Sequence, residues 1–104
     1  MLLSTTDTIH GKNIVKHLGL ARGNTIRARH IGRDIMAVLR HIIGGERTAY
    51  TTMMAESREQ AIDRMVEDAQ KLGANAIVHV SFSTQMVMGG ASEILAYGTA
   101  VLVE

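Results

Sequence analysis

Apolar residues recur at helical spacing in two stretches of the chain and at every second position in others. Ile35, Val38, Leu39 and Ile42 stand at i, i+3, i+4 and i+7, one apolar stripe that predicts an amphipathic helix. Asp34 lies in its first turn, where a carboxylate suits the helix dipole, and Arg40 and His41 lie in its last turn. Gly44 is placed to end it with a left-handed cap. A second and longer stripe runs through Tyr50, Met53, Met54, Ser57, Ala61, Met65, Ala69 and Leu72, widened by Ile62 and Val66. It predicts a helix from about Arg47 to Leu72, with Gly73 as the C′ residue. The unbroken stripe favours one helix over a fresh start at a Ser57/Gln60 capping box.

The remaining pattern is extended. Leu2–Thr6 can form a short strand, and Asn13–Leu18 and Leu20–Ile31 read as strands. In Thr25–Ile31 the residues Thr25, Arg27 and Arg29 share one face and Ile26 and Ala28 the other, as in a half-buried strand with its apolar side inward. Gly23-Asn24 reads either as a tight turn or as a bulge within one long strand. Val78–Met86 alternates apolar and polar residues, so one face is expected to be wet. Glu93–Val103 is apolar on both faces, and a strand buried on both sides needs cover beyond one helix layer. In 104 residues, a neighbouring copy of the chain is the expected cover. The order of elements predicts a single α+β domain over residues 1–104, an antiparallel sheet packed on two helices.

Composition sharpens this picture. Hydrophobic residues make up 46% of the chain, yet only Tyr50, Phe82 and Tyr97 are aromatic, so the core is built from Ile, Leu, Val, Ala and Met. No run reaches the roughly 20 apolar residues a membrane helix needs. The first residues lack the basic and apolar regions of a secretory signal, and cysteine is absent, which fits a cytoplasmic protein. The same absence removes disulfides, thiolate metal sites and cysteine nucleophiles.

Charge is uneven although the net is only +1. Residues 1–45 carry seven Lys and Arg against two acids, and residues 46–104 carry four against eight. No acid occurs between Thr8 and Arg33. Such a segment can attract phosphates, or it can face the acidic half of the same or a neighbouring copy. The near-zero total and scarce aromatics argue for the second and against nucleic acid as a partner.

Candidate chemistry is sparse. His10, His17, His30, His41 and His79 show neither His-x-His nor His-x3-His spacing, so a metal site would need histidines gathered by symmetry at subunit junctions. Met53, Met54, Met65, Met86 and Met88 are soft-metal donors by chemistry, but Met53 and Met65 belong to the helix stripe and are expected in the core. Gly44-Gly45 and Gly89-Gly90 fit no phosphate-loop pattern, and G-x-S-x-G is missing. Arg33, Asp34, Tyr50 and Arg58 are the polar residues placed to line a ligand-binding cleft, or alternatively to tie helices or subunits together.

An ordered set of markers resembles a known family. They are Ser4-Thr5-Thr6, Gly11, Leu18-Gly19 with Gly23, Arg33-Asp34, Gly44-Gly45, Tyr50, Arg58 with Ala61, Leu72-Gly73-Ala74-Asn75-Ala76 and Gly98-Thr99-Ala100-Val101. Together they resemble the YbjQ-like family, which carries a heavy-metal-binding label and no assigned biochemical role. The resemblance implies a dodecin-like α+β fold, with a curved sheet against helices, and a ring-shaped homopentamer. It names no cofactor. Family members often place a cysteine where this chain has His17-Leu18-Gly19, so thiolate binding of a heavy metal is not carried over. Three functions follow as expectations. The leading one is a non-enzymatic oligomeric protein that binds a small ligand or serves as a scaffold. The others are a metal binder using inter-subunit histidines and an enzyme with an inter-subunit site.

Overall fold

Small residues decide how the layers of this fold meet. In the computed structural model, residues 1–27, 46–86 and 91–104 are described, with side chains at 1–26, 54–86 and 91–104. The elements are β1 (Leu2–Leu3), β2 (Ile14–Arg27), α1 (Glu46–Lys71), β3 (Ala76–Met86) and β4 (Ser92–Val103). The helix expected over Ile35–Ile42 lies outside the described residues.

The sheet order is β1-β3-β4-β2. Strand β4 pairs antiparallel with both β2 and β3, while β1 pairs parallel with β3. The sheet is therefore mixed, not purely antiparallel as the pattern suggested. Two residues of β1 carry too little alternation to reveal their direction. Strands β2 and β3 run parallel with β4 inserted between them, a split β-α-β arrangement.

Helix α1 lies across β2 and β4. Its stripe places Ser57, Ala61, Met65 and Ala69 in full burial against Ala21, Ile94, Ala96 and Ala100 of the sheet. Leu72, at the end of the predicted stripe, stays exposed because it lies past the last helical residue. Gly73 takes φ 85° and closes the helix, with its N–H donating to the Gln70 carbonyl (3.0 Å) and the Ala74 N–H to that of Ala69 (3.1 Å). This is the paired hydrogen bonding of a Schellman cap.

Gly23 is neither a turn nor a bulge. It sits inside β2, opposite Ala96, and its φ is not positive. A Cβ there would collide with the Met65 nitrogen and Ala61 oxygen and come within 2.7 Å of the Arg64 carbonyl carbon. Glycine is required because the helix backbone rests directly on the strand.

The same approach fixes the phase of β2. Ala21, Gly23 and Thr25 face the helix, so Ile26 points away and is 58% exposed. This reverses the expected burial of the Ile26 face. Thr25 tolerates burial because its hydroxyl donates to the Ser57 carbonyl (3.0 Å).

Among the described residues, the far face of the sheet is covered at one end only. Ala76, Val78, Val101 and Val103 form a second cluster there, packed by Ile9 of the N-terminal segment and Ile14 at the start of β2. Asn75 fastens this end, donating from its amide to the Val103 carbonyl (2.9 Å) and accepting from the Val103 N–H (2.8 Å). Part of the cover expected from a neighbouring copy is thus supplied by the chain itself. The alternation in β3 also breaks. A bulge falls between Val78 and Ser81, and His79 takes φ 56°.

Candidate functional site

The open part of the far face is built from register. From Ser92 to Tyr97 each residue of β4 stands between one of β2 and one of β3, giving rows Gln85–Glu93–Ile26, Ser83–Leu95–Asn24 and Ser81–Tyr97–Arg22. Thr99 and Leu20 continue the pattern. Successive rows are about 7 Å apart. Leu20 (60%), Ile26 (58%) and Tyr97 (36%) are accessible apolar groups on this face.

Glu93 on this face is a charged group held by two side-chain hydrogen bonds. The Gln85 side-chain amide donates to one carboxylate oxygen (3.1 Å) and the Asn24 amide donates to the other (3.2 Å). These bonds, Gln85 first and Asn24 second, hold the carboxyl below its ordinary value. An ionised carboxylate held by two neutral donors keeps spare acceptor capacity toward solvent. It can bind a cation. It is poorly suited to take a proton near neutral pH.

A second polar cluster lies at the β1–β3 edge. The Ser4 and Thr6 hydroxyls share a hydrogen bond (2.6 Å), and the Thr6 hydroxyl donates to the Thr8 carbonyl. The backbone continues the edge beyond β1. The His79 N–H donates to the Thr6 carbonyl (2.8 Å) and the Val80 N–H to the Ser4 carbonyl (2.9 Å).

Of the residues expected to line a cleft, Arg33 and Asp34 lie outside the described residues. Tyr50 falls within the backbone of α1, with no side chain described. Arg58 is exposed on α1, next to the buried Ser57. His10, His17 and His79 are exposed and lie on separate segments, while His30 and His41 lie outside the described residues. Met65 is fully buried, Met54 packs against the core and Met86 is 67% exposed. Among the described residues no group of three His, Cys, Asp or Glu is placed to hold a metal ion. The Asn24–Glu93–Gln85 constellation escaped sequence reasoning because its members come from three strands.

Comparison with known proteins agrees on the family. The family model for YbjQ, described as "Putative heavy-metal-binding", matches residues 1–104. A "UPF0145 protein" of Methanosarcina acetivorans is 63% identical over 101 residues, covering 97% of this chain and 95% of that protein. Another, from Dehalococcoides mccartyi, is 57% identical over the full length of both. One from Pyrococcus furiosus is 55% identical over 100% of this chain and 91% of its own. Among solved structures, a DUF74-family protein of unknown function from Pediococcus pentosaceus superposes with a TM-score of 0.64. It shares 15% identity over 100% of this chain and 98% of that one, a likeness of fold.

Proposed function

This chain belongs to the YbjQ family, and from that premise we propose that it is a non-enzymatic homo-oligomer that binds a small ligand or serves as a scaffold between its copies. The assembly is a dodecin-like ring of five. The observation that carries this reading is the open sheet face. Leu20, Ile26 and Tyr97 lie beyond the N-terminal cover, and an accessible apolar surface of this kind is the mark of a contact site. The uneven charge supports it, because head-to-tail contacts join two different patches.

Among the described residues, nothing within one copy fits the family's heavy-metal description. The chain has no cysteine, and among the described residues no ligating cluster forms. The second reading gathers histidines from several copies by symmetry, and zinc or copper uptake unchanged after replacement of all five would overturn it.

The test is sedimentation velocity at micromolar protomer. The proposal expects one oligomeric species that Ile26→Lys or Leu20→Glu dissociates while helix and strand content are retained. A wild-type monomer under these conditions overturns it.

A further inference from the structure

The outer side of β2 is an edge of the sheet, since β2 stands last in the order β1-β3-β4-β2. Its two halves differ. From Ile14 to Gly19 the strand carries two register shifts, at Ile14/Lys16 and His17/Gly19, and the cation of Lys16. Irregularity and lysine are devices that discourage the pairing of an edge with another strand. From Gly19 to Arg27 the register with β4 is unbroken and the segment holds no proline. Leu20 and Ile26 are exposed along it. A regular, half-apolar edge of this kind is a template for strand addition unless its outward backbone groups are taken.

In this half they are met by α1. Asp68 accepts the Arg22 N–H (3.0 Å), and the Arg64 guanidinium donates to the Asn24 carbonyl. Both backbone groups therefore point away from β4. An added strand bonds to the N–H and C=O of every second residue on an edge, so it would need these same two groups. Hydrogen bonds with one ionised partner are the stronger kind, and a neutral strand offers none in exchange.

The fit of helix to edge is geometric. Four residues of helix rise about 6 Å, and two residues of strand span about 6.8 Å. Side chains at i and i+4 of a helix lying along a strand thus fall beside alternate strand residues. Gly23 stands between the two clasped residues, and there the backbone of Ala61, Arg64 and Met65 comes down onto β2. That close approach carries Arg64 and Asp68 to the edge.

We propose that Arg64 and Asp68 are a built-in guard against strand addition: by occupying the Asn24 carbonyl and the Arg22 N–H they keep the regular half of the β2 edge from pairing with the same edge of another copy. Two identical edges are the partners excluded, because their antiparallel pairing is self-complementary. The guard confines contacts between copies to side-chain surfaces such as the open sheet face. It acts whichever assembly the wild type forms, and each variant below is compared with the wild type's own profile.

The test is sedimentation velocity of Arg64→Ala/Asp68→Ala beside the wild type at equal concentration. One cation and one anion are removed together, so net charge is unchanged. The variant keeps the wild-type circular dichroism and gains a species of about twice the wild-type mass that grows with concentration. Adding Arg22→Pro, which removes the outward N–H and leaves the ladder to β4 intact, abolishes that species. Arg64→Lys/Asp68→Asn, whose side chains still donate and accept, sediments like the wild type. A folded double-alanine variant with the wild-type profile overturns the proposal. So does a larger species that Arg22→Pro leaves in place, since aggregation through unfolding needs no edge. If the double-alanine variant does not fold, Asp68→Ala alone is compared with Asp68→Asn, and equal profiles overturn the proposal.

Discussion

Replacing Gly23 by alanine tests how the helix is seated on the sheet. Where φ is permissive, Gly→Ala stabilises a protein by about 0.4–1 kcal/mol through the unfolded chain. Gly23 has no positive φ, so backbone conformation alone predicts a gain. Packing predicts the opposite. The new methyl meets the backbone of Ala61, Arg64 and Met65, none of which can rotate away. The helix must lift, at a cost of about 1–3 kcal/mol for overpacking. Lifting also strains the Thr25–Ser57 and Arg22–Asp68 hydrogen bonds, each worth about 1 kcal/mol. The net loss is about 3 kcal/mol, which lowers the melting temperature by about 12 °C or more in a domain of this size. The assay is thermal unfolding by circular dichroism at matched protomer concentration, since assembly makes stability concentration-dependent. A variant as stable as the wild type, or more stable, refutes the close approach of α1 to β2.

Three further outcomes follow from single residues. Asn75→Ala removes both hydrogen bonds to Val103 and costs about 2 kcal/mol in denaturant unfolding; no loss would show that these bonds do not fasten the C-terminal strand. His79→Gly relieves a left-handed backbone at an L-residue and stabilises by about 1 kcal/mol, and destabilisation would place the imidazole in a structural role. Glu93 titrates below the ordinary carboxylate range by carboxyl NMR, and Gln85→Ala with Asn24→Ala returns it toward that range. Because the folded-state pKa is depressed, the associated stability is present above the unfolded pKa and is lost as pH falls through the folded one. A Glu93 titration unchanged in the double variant would show that the two amides do not hold the carboxylate.

The helix was the most legible part of the chain. Its predicted span of Arg47–Leu72 differs from Glu46–Lys71 by one residue at each end, and Gly73 is the cap the pattern required. Ser57 could be placed on the buried stripe because 3.6-residue periodicity names one face and a helix on a sheet has one face to bury. The strands were less legible for a physical reason. Period-two alternation separates two faces without saying which is covered. In β2 the choice fell to Ala21 and Gly23, whose small size admits the helix and turns Ile26 outward. His79 shifted the phase of β3 through a bulge that carries no glycine to announce it. The site was less legible still. Arg58 can be placed by periodicity, but Glu93 meets Asn24 and Gln85 only once β4 is in register with strands on both sides.

Native mass spectrometry of gently purified, untagged protein, without chelator, tests the central claim most directly. The account predicts one dominant species near five times the 11.3 kDa protomer, and any stoichiometric extra mass identifies what it carries. A dominant 11.3 kDa monomer would contradict it.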